Sequence, residues 1–255
     1  MNTVDYLGDG TGNGPSRSVF AYFNQQREDI SHAYYEQFMN TPDMVTTEVH
    51  DGWQSYLDTG CTATVLDDTA NGIMAIALDA TGSDEEGAIQ WDASHAPYSV
   101  ISTNGSEKRI SFECRVAVLA TTLQTVYVGL CDAGSLGDGL LNDDGSGIND
   151  KDFIGFRILE ADPDTFDAVY RTAGTEVVLK NKAQDMTTLV YHKFGFYYDG
   201  KYIEYFVDGV TVGKVLATAT SFPDGVQMAP LFTIKQHEAA AKTLKVDFVK
   251  IVTEL

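Results

Sequence analysis

Apolar and polar side chains alternate with period two along most of the chain. The alternating runs are short and bounded by glycine, asparagine or aspartate, the pattern of antiparallel strands with one buried and one wet face. From Arg109 to Leu119, Ile110, Phe112, Cys114, Val116 and Val118 alternate with Ser111, Glu113 and Arg115. Thr62 to Leu66 and Ile73 to Leu78 flank Asn71-Gly72, a corner that supplies the positive φ angles of a tight hairpin. Thr125 to Cys131, Phe153 to Leu159, Ala168 to Thr172 and Glu176 to Leu179 read as further strands. Between Tyr191 and Val215, Asp199-Gly200 and Asp208-Gly209 separate three β-rich runs in the manner of a meander. The closing run is expected to place Leu244, Val246 and Phe248 on one face. Gln236 to Lys242 alone has strong helical propensity, enough for one or two turns.

These elements divide the chain into three stretches. Residues 1–18 are short of core material, and Gly8, Gly10, Gly12 and Gly14 fall on every second position, so this part is expected to be an extended glycine-rich arm. Residues 19–49 form an aromatic-rich connecting segment, with a helix or turn followed by a strand near Ala33 to Met39. Residues 50–255 are expected to form a β-sandwich, a size that one all-β domain can reach.

Charge narrows the classes of partner. There are 37 acidic and 17 basic residues, a formal net charge of −20, which opposes direct binding to nucleic acid or to an anionic membrane. Residues 1 to 107 carry Arg17 and Arg27 as their only bases, so the imbalance is concentrated there. No apolar run is long enough for a conventional membrane span. The start, Met1 to Tyr6, lacks a basic n-region and an apolar stretch, from which synthesis and folding in a cytosol are expected. Cys61, Cys114 and Cys131 form an odd set without ligand spacing, indicating buried thiols rather than a disulfide framework or a zinc site. Asn104-Gly105-Ser106 fits a glycosylation sequon, read as a chance match.

Candidate chemistry is sparse. Glycoside hydrolysis needs two carboxylates about 5 to 9 Å apart. The nearest approach to a catalytic carboxylate run is Glu160-Ala161-Asp162-Pro163-Asp164, where Pro163 is expected to interrupt strand pairing. Asp138, Asp143, Asp144, Asp150 and Asp152 crowd a glycine-rich stretch, and two readings follow: a solvated acidic loop, which is preferred, or a calcium site. Trp53, Trp91 and Tyr98 are sugar-stacking candidates by residue type, with core packing the preferred reading. His32, His50, His95, His192 and His237 are scattered, and no nucleophile elbow or phosphate-binding loop occurs. The sequence therefore yields no catalytic, metal or cofactor residue and the expectation of a protein that is not an enzyme.

Tyr191 to Gly200 followed by Tyr205-Phe206-Val207-Asp208-Gly209 resembles a hallmark of concanavalin A-like lectin/glucanase and laminin-G-like sandwiches, and Leu244 to Ile251 resembles their closing strand. The resemblance implies an antiparallel jelly-roll β-sandwich, with His192 at a structural position. A looser resemblance is to the versions of this domain in structural proteins of tailed bacteriophages. That resemblance implies a capsid decoration or cement subunit on the virion surface, bound to the major capsid protein and to copies of itself as a homo-oligomer. The alternative is a glycan-binding, lectin-like module or a receptor-binding fibre component.

Overall fold

The computed structural model describes residues 31–38, 52–66, 72–91, 96–102, 107–172 and 174–254. The expected arm, the Asn71 corner, the Asn104 sequon, His50 and His95 lie outside them. Among the described residues there are sixteen strands and no helix. They are β1 (Ser31–Glu36), β2 (Trp53–Leu57), β3 (Thr62–Val65), β4 (Met74–Ala77), β5 (Glu86–Trp91), β6 (Tyr98–Ser99), β7 (Ile110–Val118), β8 (Gln124–Asp132), β9 (Phe153–Leu159), β10 (Asp162–Thr172), β11 (Thr175–Asp185), β12 (His192–Tyr198), β13 (Tyr202–Val207), β14 (Val210–Leu216), β15 (Gln227–Gln236) and β16 (Thr243–Glu254).

Two eight-stranded sheets result. Sheet A runs β14-β13-β12-β7-β16-β4-β3, with β1 also on β16; sheet B runs β11-β10-β9-β8-β15-β5-β2, with β6 also on β15. Each sheet is hydrogen-bonded throughout in antiparallel register. Alternation explains the stacking, because each strand sends every second side chain inward. Phe112 and Phe194 of sheet A meet Phe156 and Phe232 of sheet B in one continuous fully buried core. Phe156 lies 5.0 Å from Phe194 and 5.5 Å from Tyr205, ring centre to ring centre. The β12–β13–β14 meander is as the aspartate-glycine corners predict.

Two local expectations are corrected. Gln236 to Lys242 forms no helix: Gln236 closes β15 and Thr243 opens β16. The connection is held instead by side chains, with Lys242 Nζ bonded to Thr122 and Glu238; a one-turn helix has too few internal hydrogen bonds to compete. In β16 the register slips between Val246 and Phe248. This β-bulge resets the parity of the strand, so Phe248 leaves the face shared by Leu244 and Val246, and Val249 and Ile251 replace it in the core. Phe248 packs outside against Tyr35 of β1 at 6.1 Å.

Candidate functional site

The inward side chains of sheet B make the core, so its outward side chains define a second surface. Cross-strand pairing arranges them in rows. One row runs Ala88 (β5), Thr233 (β15), Tyr127 (β8), Arg157 (β9) and Asp167 (β10). A neighbouring row sets Glu86 beside Lys235 and Lys235 beside Thr125. Another brings Gly129 against Gly155, next to Val169. At that pair the floor is bare backbone: a Cβ on Gly129 would strike the Ile154 carbonyl and lie 2.8 Å from the Gly155 Cα.

This surface is polar yet largely covered. Tyr127, Thr233, Lys235, Gln90 and Glu86 are all buried, because the 133–151 segment between β8 and β9 folds back over them. Leu140, Leu141 and Ile148 of that segment join Ala88, Tyr127, Phe153, Val169 and Leu231 of the sheet in a separate apolar cluster. The segment is a small hairpin in its own right, with Leu141 bridged to Ile148 and Asn142 and Asn149 amides bonded to the Gly147 and Leu140 carbonyls.

Buried charges pin this cover to the sheet. Glu86 Oε1 accepts the Leu141 amide at 3.1 Å, and Lys235 Nζ donates to the Leu141 carbonyl at 3.1 Å and to Asp143 Oδ1 at 2.5 Å. Lys235 Nζ also stands 3.5 Å from Glu86 Oε2, an ion-pair distance, but that oxygen makes no hydrogen bond. Burial outweighs the lysine and pushes the Glu86 carboxyl up to about 7. Gln90 holds the root of the cover, donating to the Asp132 carbonyl and accepting the Ser135 amide.

Beyond the cover, toward β11, the face carries a second charged group. Arg157 pairs with Glu176 and, at 3.6 Å, with Asp167; Tyr127 donates its hydroxyl to Glu176 at 2.9 Å. Burial raises the Glu176 carboxyl against the opposing pull of Arg157. At the other end His237 Nε2 meets Thr125 Oγ1 at 2.8 Å, while its buried Nδ1 has no hydrogen-bond partner. The arrangement offers carboxylates, a guanidinium, an ammonium, an amide and a phenol on one face, the donor and acceptor set that orients polyhydroxylated ligands.

The residues singled out from sequence are placed differently. Glu160 occupies the β9–β10 turn, Asp162 binds Lys182 at 3.2 Å at the start of β10, and the β9–β10 register is irregular from Asp162 to Asp167, around Pro163. Of the loop aspartates, Asp143 is taken by Lys235, Asp144 caps the Ser146 amide, and Asp138 and Asp150 line a hollow formed by residues of the cover itself. Among the described residues no three His, Cys, Asp or Glu side chains form a metal-binding group. The loop is also not simply solvated, as its leucines show. Trp53 is fully buried between Phe38 and Phe232 and donates to Tyr34, while Trp91 packs between Tyr34 and Tyr98; all three stacking candidates are packing residues. His192 Nδ1 bonds Asp208 at 2.7 Å, a structural contact at the meander corner. Glu86, Lys235, Arg157 and Glu176 were not found by sequence reading. Their signal was charge at the outward positions of strands otherwise rich in core residues.

No family model matches the chain, and no curated protein does. Solved structures do. A Bacillus licheniformis beta-glucanase is 17% identical over 86% of this chain and 97% of its own, with a TM-score of 0.54. A lectin II from Ulex europaeus is 12% identical over 88% and 99%, with a TM-score of 0.55. An endo-beta-1,4-glucuronan lyase from Trichoderma reesei is 11% identical over 86% and 94%, with a TM-score of 0.53. The chain thus has the concanavalin A-like jelly-roll fold, an all-β antiparallel sandwich. At these identities the likeness is one of fold. The expectation of a protein that is not an enzyme is corrected by the same finding: glucanases, a glycosidic hydrolase and a lyase share this architecture with lectins. A missing sequence motif therefore does not stand for missing activity.

Among the described residues no helix is long and apolar enough to cross a bilayer.

Proposed function

We propose that the protein recognises a glycan on the outward face of sheet B. The observation that carries the reading is the set of paired polar side chains there, Glu86–Lys235 and Tyr127–Glu176–Arg157–Asp167, on a face that packing alone would fill with apolar residues. The company of lectins and glucanases in the same fold supports a sugar as the ligand. Each cation on the face is already engaged by carboxylates, so the face suits a neutral, hydroxyl-rich chain better than an anion.

The test is a glycan array with calcium and with chelator, followed by reducing-end release from bound β-glucans. Glu176→Gln is expected to weaken binding at least tenfold. A uniformly blank array removes the reading.

A second reading is attachment to a virion head, by contact with the major capsid protein and with copies of itself. It is supported by a cluster of exposed apolar side chains at one end of the sandwich. Leu119 and Leu123 flank the β7–β8 turn, and the Leu189 amide bonds the Val118 carbonyl, bringing Leu189 and Val190 beside them. Capsids lacking this subunit should bind it at fixed stoichiometry, with Leu189→Glu reducing the effect; no association at any salt concentration removes this reading.

A further inference from the structure

We propose that residues 133–151 are a proton-controlled cover over the glycan face, seated most firmly when Glu86 is a neutral acid and loosened when Glu86 is ionised. The proposal rests on the reading of sheet B as a glycan face and names how access to it is regulated.

The geometry of the clamp carries the argument. The two oxygens of Glu86 have different tasks. Oε1 holds the cover through the Leu141 amide; Oε2 is enclosed, with the Lys235 ammonium 3.5 Å away and outside hydrogen-bond geometry. A proton on Oε2 leaves Oε1 free to accept from Leu141 and removes the cost of an enclosed negative charge. Ionisation restores that cost, and lifting the cover is the way to relieve it, since Glu86 would then meet water. The charged and titratable groups around Glu86 act from every side. Lys235 of β15, itself bonded to Asp143, favours its ionised form, while Asp58, whose Oδ2 accepts the Glu86 amide, opposes it. Tyr56 of β2 lies in the same field but is held neutral by burial. The balance leaves the carboxyl titrating near 7, far above its solvated value.

The cover is built to move. Gly134 and Gly139 adopt positive φ angles of 68° and 73°, and at neither would a Cβ meet any atom within 4 Å, so both sit in open space as pivots. The apolar contact with the sheet is made by Leu136, Leu140, Leu141 and Ile148, and Gln90 and Cys131 hold Ser135 at the root. Gly147 passes so close to the Tyr127 hydroxyl that a Cβ there would lie 2.6 Å from it, so the seated cover excludes any ligand from that row.

The sign follows from linkage. A carboxyl whose folded value is raised stabilises the seated state below its solvated value, and this contribution is lost as pH rises through about 7. Hydrogen exchange of the 136–148 amides, corrected for intrinsic rates, should show opening that grows roughly tens-fold between pH 5 and pH 8. Glu86→Gln, neutral at every pH and able to accept the Leu141 amide, should flatten this profile at its low-pH level. Flat wild-type exchange, or a profile unchanged by Glu86→Gln, overturns the proposal. Should that variant fold poorly, the carboxyl carbon of Glu86 can be titrated by NMR in the unaltered protein: a midpoint near 7 is expected, and one near 4.5 overturns it. These measurements contain no glycan, so they stand apart from the functional reading. If the cover behaves as described but no glycan binds at pH 5 or pH 8, the glycan reading alone falls. If glycans bind, affinity should be higher at pH 8.

Discussion

Tyr205 in sheet A donates its hydroxyl to the backbone carbonyl of Val169 in sheet B, at 2.9 Å and fully buried. It is a polar tie across the core, and it fixes how far apart the two sheets stand at β10 and β13. Tyr205→Phe keeps the ring and removes the tie. We expect a loss of about 1 kcal/mol, read as a lower urea midpoint with an unchanged slope.

The glycine pair beneath the cover tolerates no added atom. In Gly129→Ala the methyl group meets the Ile154 carbonyl, which is backbone and cannot swing aside. A destabilisation of roughly 1 to 3 kcal/mol is expected. Gly137→Ala, where nothing lies within 4 Å, should change stability by less than about 0.5 kcal/mol.

The thiols should be silent in the native protein. Cys114 and Cys131 are enclosed and burial drives their ionisation far up, while half-buried Cys61 is pushed to about 11. A chromogenic disulfide reagent at pH 8 is expected to find no fast-reacting thiol in the folded chain and three after denaturation. A rapid single-thiol phase would contradict the placement of Cys61.

His237 should weaken the fold on acidification. Burial holds its imidazole below the usual histidine range, so the fold favours the neutral ring. Its contribution is complete above about pH 6.5 and is lost as pH falls from there through the depressed value. The stability difference between the wild type and His237→Gln, from urea titrations at pH 7.5 and pH 5, is expected to move in favour of the variant at the lower pH.

The sandwich itself was legible in the sequence because its cause is local. Period-two alternation in Ile110 to Val118 and the corners at Asp199-Gly200 and Asp208-Gly209 encode strand, face and turn within a few residues. The site was not, because its cause is long-range. Glu86, Lys235 and Leu141 lie far apart along the chain and meet only through strand order. The 133–151 segment looked solvated on its aspartates and glycines; Leu140, Leu141 and Ile148 were the contrary signal, and without knowledge of the facing sheet they had no partner to name. The helix expected over 236–242 failed for a related reason: tertiary contacts of Lys242 and His237 outweigh local propensity.

The one-residue bulge at Asp247 divides β16 into two segments of opposite phase. Its first half serves β4, its second half β1, and both halves serve β7. Asp247 is the extra residue, and its loss would leave a regular ladder with Val246, Val249 and Ile251 still facing the interior. The pairing of Val249 to Glu254 with the strand that carries Tyr34 and Tyr35 would be kept. The closing strand therefore holds one residue in reserve, and a shortening by one can be absorbed where it bulges.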